Sequence, residues 1–166
     1  MGTHSLDGLS VQEYFYPQMN CFGCGPANPD GLRIRSFVQG DSVVAEFSPK
    51  PEHDNGMGFL NGGIICTVLD CHSAAAVVTL AQERGWPPEA GTGYVTSGLV
   101  ARFARPTPLD QRLLLNAWVV IAEPTQIEVQ AELTWGGKVR AHATSIWKPS
   151  RARPHGIGES PQSTVS

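Results

Sequence analysis

Basic residues are scarce in this sequence of 166 residues, which has 12 Lys and Arg against 15 Asp and Glu and a formal net charge of −3. A nucleic-acid-binding domain normally carries a basic excess, so the composition does not favour a nucleic-acid partner. Charged residues make up only 16% of the chain, whereas hydrophobic residues make up 41%. This apolar content is sufficient for a packed core and excludes a wholly disordered chain, and the length predicts one domain.

Targeting and membrane signals are also lacking. Residues 1–10 contain neither a basic start nor an apolar stretch, so we expect no secretory signal and a location in the reducing cytoplasm. One apolar run, residues 62–81, has the length of a membrane span. Asp70 and His72 lie at its middle, however, so a buried core helix is the favoured interpretation and no membrane partner is expected.

The sequence contains no second Cys-x-x-Cys pair. Cys21 and Cys24 have a spacing that can begin a zinc site or a redox pair, but a zinc ribbon would need another such pair. Cys66 and Cys71 lie in the apolar run, where cysteines usually pack as small hydrophobic residues. We therefore expect reduced structural thiols and no metal ligands, with zinc binding and redox chemistry at the first pair as the alternatives.

Glycine and proline are plentiful, with 18 and 13 copies, as is typical of a chain that turns often between strands. Alternation of apolar and polar residues predicts six strands. They lie near residues 32–38, 43–47, 93–104, 111–122, 125–135 and 138–148. Gly40-Asp41 and Gly136-Gly137 are predicted hairpin turns between neighbouring strands.

A single long helix is predicted between the second and third strands. Asn61 is a good N-cap, and the helix should start at Gly62 and end near Arg84, where Gly85 follows as a stop signal. Its residues are apolar on nearly every side, which is typical of a buried helix. Only a sheet that curls around the helix could cover all of these sides.

The predicted fold class is therefore α+β, with one long central helix wrapped by a curled, mainly antiparallel sheet of about six strands. Residues 21–148 should form this domain. Residues 1–20 are predicted to form an N-terminal arm, and residues 149–166, which are rich in Pro, Ser, Gly and Arg, a flexible tail.

Asp70 is the most informative residue, because it is the only formally charged side chain between Asn61 and Gln82. Desolvating a carboxylate is costly, so an unpaired Asp is rarely buried without a reason. It could be a structural carboxylate paired with a distant Arg, or a base or nucleophile in a crevice of low polarity. Gly62 and Gly63 offer backbone N–H groups at the start of the same helix, where negative charge is favoured, although tight packing alone would also explain them.

The spacing of these two groups has a consequence for assembly. Gly62 and Asp70 are eight residues apart, which is about 12 Å along a helix that rises roughly 1.5 Å per residue. They cannot readily reach one carbonyl group within one chain. A two-fold partner with an antiparallel helix would bring its own Asp70 opposite Gly62, so catalysis by this pair predicts a dimer with two equivalent sites.

Two strands, a buried helix and four further strands form a recognisable layout when combined with Asn55, the run Asn61-Gly62-Gly63, Asp70 and the strand from Tyr94 to Ala104. This combination resembles the hotdog-fold acyl-CoA thioesterases of the phenylacetyl-CoA thioesterase-like (PaaI) group over roughly residues 20–148. The segment CFGCGPANPDGL also resembles the lead-in of many members of that group.

The resemblance implies roles for four residues. Asn55 would orient the substrate carbonyl or the water, and the N–H of Gly62 would polarise the thioester carbonyl. Asp70 would attack that carbonyl or activate water, and Thr96, on the strand after the helix, would steady the water.

Two positions depart from the family pattern. Asn61 stands in place of the signature His, and Cys71 stands where many relatives have an acidic residue. Because Asn61 can still cap the helix, the loop geometry is expected to survive. The candidate substrate-binding residues are Asn61, Gly63, His53, Arg102 and Arg105. The two arginines could contact coenzyme A phosphates or equally be ordinary surface charges. For His53 a solvated loop position is the favoured interpretation.

The leading functional hypothesis is hydrolysis of an acyl-CoA thioester to a free acid and coenzyme A by a homodimer or a dimer of dimers. Coenzyme A is part of the substrate, so we expect no metal or redox cofactor. The sequence has neither a phosphate-cradling GxxxxGK[ST] loop nor a Ser-centred GxSxG elbow. The alternative, from a different class, is a non-catalytic acyl-CoA-binding or sensing module on the same fold.

Overall fold

The computed structural model describes residues 6–87 and 89–153, which form one sheet around a long helix. The elements are, in chain order, α1 (Val11–Phe15), β1 (Ser36–Gln39), β2 (Ser42–Phe47), α2 (Gly62–Arg84), β3 (Thr92–Phe103), β4 (Leu113–Glu123), β5 (Gln126–Trp135) and β6 (Lys138–Arg151). The strand order is β1-β2-β4-β5-β6-β3, and each neighbouring pair is antiparallel. The predicted hotdog architecture is confirmed.

Helix α2 begins and ends as the sequence predicts. The side-chain oxygen of Asn61 accepts hydrogen bonds from the N–H groups of Gly63 at 2.8 Å and Ile64 at 3.3 Å. At the other end Gly85 has a φ of +64°, in the left-handed region that glycine adopts without strain, and its N–H bonds the carbonyl of Ala81. These caps explain why the predicted bounds are confirmed.

The central position of α2 explains its apolar composition. The helix is long and apolar enough to cross a membrane, but it contacts all six strands, and Val68, Leu69 and Val77 are buried against them. It is therefore the core helix of this domain. Contrary to expectation, the sheet does not cover every side of it. A half-exposed stripe at four-residue spacing contains Cys66, Asp70, Ala74 and Val78.

Strand β1 is shorter than the sequence pattern suggests. Alternation predicted a strand over residues 32–38, but β1 covers only Ser36–Gln39. Arg33 has a φ of +57°, which interrupts the extended backbone. The N–H of Ile34 donates to the carbonyl of Gly23 at 3.0 Å, so this segment pairs with the preceding loop instead of with β2.

The two ends of the chain extend the domain beyond the central run of strands. Strand β6 continues to Arg151, which pairs with Thr92 of β3, so the sheet passes the predicted boundary at residue 148. The part of the predicted flexible tail from residue 154 onward lies outside the described residues, as do residues 1–5 of the predicted arm.

The N-terminal arm is tied to the core by a buried polar network. The side-chain oxygen of Gln12, on α1, accepts from the N–H of Ser36 at 2.9 Å, and its amide nitrogen donates to the Ser36 hydroxyl at 3.1 Å. That hydroxyl lies 2.9 Å from Nδ1 of His72, whose Nε2 donates to the carbonyl of Val43 at 3.0 Å. Burial lowers the pKa of His72 to about 4, so this histidine is neutral at pH 7 and has a structural role.

Candidate active site

The carboxylate of Asp70 meets strand β3 at the half-exposed stripe of α2. The hydroxyl of Thr96 donates to its Oδ1 at 2.7 Å, so the structure brings together two of the four residues to which the family resemblance gives catalytic roles. Directly after Thr96, the pairing of β3 with β6 shifts register before Gly98. Such bulges bend a strand and re-aim its side chains, and they are frequent next to active sites.

A cavity of about 650 Å³ lies beside this pair. Its walls are the half-exposed stripe of α2, the first half of β3, helix α1 and the loop that follows α1. The lining is mostly apolar and includes Ala74, Val78, Trp86, Tyr94 and Trp147. A cavity of this size, with a few polar groups in an apolar wall, is typical of sites for small ligands.

The environment of Asp70 favours the protonated form more than water does. Burial raises the pKa of its carboxyl group, the hydrogen bond from Thr96 lowers it, and the nearby charge on Cys21 raises it again. A raised pKa makes a carboxylate a stronger base. In the described part of the chain no Arg or Lys forms an ion pair with Asp70, so the alternative of a structural ion pair has no partner there.

The start of α2 offers one backbone donor. The Asn61 side chain caps Gly63 and Ile64 but not Gly62, whose N–H has no acceptor among the described residues. A Cβ built on Gly62 would lie 3.5 Å from the ring of Phe103, at ordinary contact distance. This N–H lies at the positive end of a helix dipole and can bind an anionic oxygen.

The two candidate groups lie at separate points of the chain. Gly62 and Asp70 belong to one continuous helix, about 12 Å apart at roughly 1.5 Å per residue. Gly62 lies beside Phe103 at the end of β3, whereas Asp70 bonds Thr96 in its first half. One chain therefore does not bring both groups to one carbonyl.

Asn55 lies in the loop before α2, where its side-chain oxygen shapes the backbone. It accepts from the N–H groups of Met57 at 2.8 Å and Phe59 at 3.3 Å, and Asp54 caps a second turn of this loop in the same way. Among the described residues, the amide nitrogen of Asn55 has no acceptor. This nitrogen is the group that Asn55 could offer to a substrate or a water.

The remaining candidates do not line the cavity. His53 is buried, and its Nδ1 accepts from the N–H of Lys50 at 3.0 Å, so the expectation of a solvated imidazole was wrong. The ring is buried because it closes a short turn and stacks on a strand residue. Arg102 and Arg105 are exposed near the end of β3, and Arg105 donates to the carbonyl of Val139 at 2.9 Å.

Three cysteines, two from the loop after α1 and one from α2, converge at the wall of the cavity. The sulfur atoms of Cys21, Cys24 and Cys71 all lie within 4.8 Å of one another, and the first and last are 3.8 Å apart. Hydrogen bonds from the other two thiols lower the pKa of Cys21 to about 2, and the same bonds raise the pKa of the two donors. We call these three residues the thiol cluster; all three line the cavity.

The four cysteines are free thiols. Cys71 is buried, whereas Cys66 is half-buried and lies outside the thiol cluster. A signal for the cluster was present in the sequence, because Cys71 replaces an acidic residue of the family pattern and Cys21-x-x-Cys24 accompanies it.

Strand β3 lies at an edge of the sheet and pairs only with β6 among the described strands. Three apolar side chains along it are exposed, Val95 at 50%, Val100 at 62% and Phe103 at 54%. A strand of 12 residues with an unpaired edge is a template for pairing with another chain.

Comparisons with known proteins place these features in context. Residues 57–141, just over half of the chain, match the family model described as the thioesterase superfamily. No curated protein matches the sequence. A thioesterase superfamily protein of known structure gives a TM-score of 0.64 at 21% identity over 78% of this chain and 63% of its own, so this chain spans less than two thirds of that protein.

Two further solved structures cover most of their own length. A phenylacetic acid degradation-related protein of Ralstonia eutropha JMP134 gives a TM-score of 0.63 at 22% identity, over 76% of this chain and 92% of its own. A Streptococcus mutans UA159 protein, solved with bound acetyl CoA, gives a TM-score of 0.59 at 20% identity, over 72% of this chain and 90% of its own. At these identities the likeness establishes the fold.

Proposed function

Because the chain belongs to the thioesterase superfamily, we propose that it hydrolyses an acyl-CoA thioester to a free acid and coenzyme A. The observation that carries this proposal is the half-buried Asp70 carboxylate, which is bonded by Thr96 beside an apolar cavity. Such a carboxylate can act as a general base or as a nucleophile. The acetyl CoA bound to the Streptococcus mutans protein supports a coenzyme A thioester as the substrate class.

The proposed reaction uses two groups at opposite sides of the thioester carbonyl. Asp70 takes a proton from water, whose oxygen attacks the carbonyl carbon, or attacks that carbon itself and is released by water afterwards. The carbon–sulfur bond then breaks, and coenzyme A leaves as a thiolate that takes up a proton. The N–H of Gly62 donates to the oxyanion that develops on the carbonyl oxygen, where such a donor acts most strongly.

The two groups would come from different chains. The unpaired edge of β3 and the exposed apolar side chains along it support a dimer in which two β3 strands pair antiparallel across a two-fold axis. An axis between Leu99 and Val100, past the middle of β3, would set Thr96 opposite Phe103 of the partner subunit. Since Thr96 holds Asp70 and Phe103 lies beside Gly62 in each chain, this pairing brings Asp70 of one chain toward Gly62 of the other.

The acyl group of the substrate would bind in the apolar cavity, and its carbonyl and phosphate groups would bind to polar residues outside the cavity. The apolar lining suits the acyl group. Asn61 and Gly63 would shape the loop around the carbonyl, and the amide nitrogen of Asn55 would orient it or the water. The exposed guanidinium groups of Arg102 and Arg105 are the candidates for the phosphates of coenzyme A.

Incubation of the full chain with a panel of acyl-CoAs, from acetyl to long-chain and aromatic acyl groups, tests the proposal. We expect catalytic release of coenzyme A from at least one member. The protein has four free thiols, so coenzyme A should be quantified by chromatography instead of a thiol reagent. Saturable binding without release of coenzyme A from any member would contradict hydrolysis and support the acyl-CoA-binding module.

The variant Thr96→Val should lose activity at a higher pH than the wild type. Hydrolysis needs the Asp70 carboxylate, so activity falls as the pH drops through the pKa of this group. The Thr96 hydroxyl lowers that pKa, and its removal therefore raises the pKa and moves the acid limb upward. Profiles of kcat/KM against pH measure the shift.

Thr96→Ser is the matched control, because it keeps a hydroxyl group beside the carboxylate. It should retain the acid limb of the wild type. An acid limb that stays in place in Thr96→Val would show that this hydroxyl does not act on the catalytic group.

A further inference from the structure

The thiol cluster has the geometry of a metal site with three thiolate ligands. Zinc binds thiolates at about 2.3 Å in a tetrahedral arrangement, which places neighbouring sulfur atoms about 3.8 Å apart. The sulfur atoms of Cys21 and Cys71 are 3.8 Å apart, and those of the whole cluster lie within 4.8 Å of one another. We propose that Cys21, Cys24 and Cys71 bind one zinc ion on the wall of the cavity.

The backbone around the cluster is built for a close approach of the three sulfur atoms. A Cβ on Gly23 would collide with the sulfur of Cys71, and a Cβ on Gly25 would collide with the backbone of Cys21. Glycine at both positions lets the loop turn tightly and pass directly over α2. Cysteines that served only as packing residues would not require the backbone at Gly23 to lie so close to the sulfur of Cys71.

The loop that carries the first two ligands is held in place by backbone hydrogen bonds. The N–H of Gly25 donates to the carbonyl of Cys21 at 2.8 Å, and the N–H of Leu32 donates to the carbonyl of Phe22 at 2.8 Å. The site is therefore formed before an ion arrives, so little conformational entropy is lost when zinc binds.

Hydrogen bonds to the sulfur atoms complete the resemblance to a metal site. The backbone N–H groups of Gly23 and Cys24 help to lower the pKa of the Cys21 thiol. Donors of this kind orient a metal ligand and stabilise its negative charge, as outer-shell partners do in metal proteins.

The fourth coordination position would be open. Among the described residues, no His, Asp or Glu side chain joins the three sulfur atoms within the same radius. The three cysteines line the cavity, so a water molecule or a ligand in the cavity would complete the tetrahedron. Zinc sites with three protein ligands and one exchangeable position have this arrangement.

This proposal revises the expectation of structural thiols. That expectation considered Cys21 and Cys24 as a pair that lacked further ligands, and it treated Cys71 as a core residue. The fold supplies Cys71 as the third ligand from a helix 47 residues further along the chain than Cys24. A bound ion would join the loop to α2 at the residue next to Asp70.

Metal analysis of the full chain without an affinity tag tests the site. The reduced, metal-free protein is dialysed against buffered micromolar zinc. The zinc bound per chain is then measured by inductively coupled plasma mass spectrometry. We expect one zinc ion per chain in the wild type. We expect the same count in Cys66→Ser, the matched control, because Cys66 lies on the same helix outside the cluster.

Cys71→Ser should bind zinc at least ~100-fold more weakly, since even the loss of an outer-shell partner costs roughly 10- to 100-fold. Cobalt gives a second readout, because a cobalt–thiolate charge-transfer band should appear in the wild type and weaken in Cys71→Ser and Cys21→Ser. Circular dichroism establishes that each variant is folded, and a variant that does not fold is replaced by the corresponding alanine variant. Zinc should also raise the Tm of the wild type but not of Cys71→Ser.

Three results would overturn the proposal. The first is that the folded, reduced wild type takes up no stoichiometric zinc. The second is that Cys71→Ser takes up as much zinc as the wild type. The third is that Cys66→Ser loses as much zinc binding as Cys71→Ser. The readouts are zinc content, the cobalt–thiolate absorption band and Tm, so they are independent of whether the protein hydrolyses a thioester.

Discussion

The variant Asp70→Asn should lower kcat for acyl-CoA hydrolysis by at least ~100-fold, the lower range of what a positioned acid or base contributes. Asn has the size and shape of Asp, and its side-chain oxygen can still accept the Thr96 hydroxyl, which bonds the wild-type carboxylate at 2.7 Å. It cannot take a proton from water or attack the carbonyl. Release of coenzyme A under saturating substrate measures the loss.

The same substitution should leave the fold intact. Burial disfavours the charged form of Asp70, so removing the charge should leave the free energy of unfolding equal or higher. Asn55→Ala is the comparison variant and should cost less activity, because the amide nitrogen of Asn55 would only orient the carbonyl or the water. Wild-type rates in Asp70→Asn on the best substrate would remove the catalytic assignment and favour the binding module.

The variant Gly62→Pro should lower kcat by ~100- to 1,000-fold, the usual cost of removing one oxyanion donor. Proline removes the N–H group and adds a ring, and the loss of the N–H costs no helical hydrogen bond, because that group bonds no acceptor in the described residues. Gly62 is the first residue of α2, where proline is well tolerated. Asn61 before it has φ −60° and ψ 135°, an extended conformation that suits a residue preceding proline.

Gly62→Ala is the matched control for this prediction. It adds a Cβ at ordinary contact distance from Phe103, 3.5 Å from the ring, and keeps the N–H group. It should therefore retain most of the activity of the wild type. Equal losses in the alanine and proline variants would mean that Gly62 is needed for space and not as a donor.

Strong local signals explain the parts of the fold that could be predicted from the sequence. Asn61 and Gly85 mark both ends of α2 because each satisfies backbone groups that a helix end leaves unpaired. Glycine in the turn at Gly40 supports the hairpin between β1 and β2, with a φ of +60°. Alternation reveals β5 because its two sides differ in burial from Gln126 to Thr134.

The parts that could not be predicted depend on contacts distant in sequence. Arg33 adopts a left-handed conformation because its neighbours pair with the loop around Gly23, and apolar alternation does not record such pairing. The shift of register after Thr96 exists only in relation to β6. Both features arise from the partner that a segment meets in the folded chain.

The candidate site was predictable to a similar extent. Asp70 was conspicuous as a lone charge in an apolar helix, and Thr96 followed from the family resemblance. The departure at Cys71 and the Cys21-x-x-Cys24 spacing were visible in the sequence, but whether they converge depends on the tertiary packing of the loop on α2. His53 was expected to be solvated because its loop is polar, although its ring turns back into the core.

The central claim is that each site takes Asp70 from one chain and Gly62 from the other, and mixing two inactive variants tests it most directly. Asp70→Asn and Gly62→Pro chains are unfolded together, refolded at equal amounts, and assayed for release of coenzyme A. Random pairing makes about half of the dimers mixed, and one of the two sites in a mixed dimer has both groups intact. We predict recovery to about a quarter of the wild-type activity per chain, as follows from this pairing of isologous sites. Activity no higher than the mean of the two separate variants would contradict a site shared between chains.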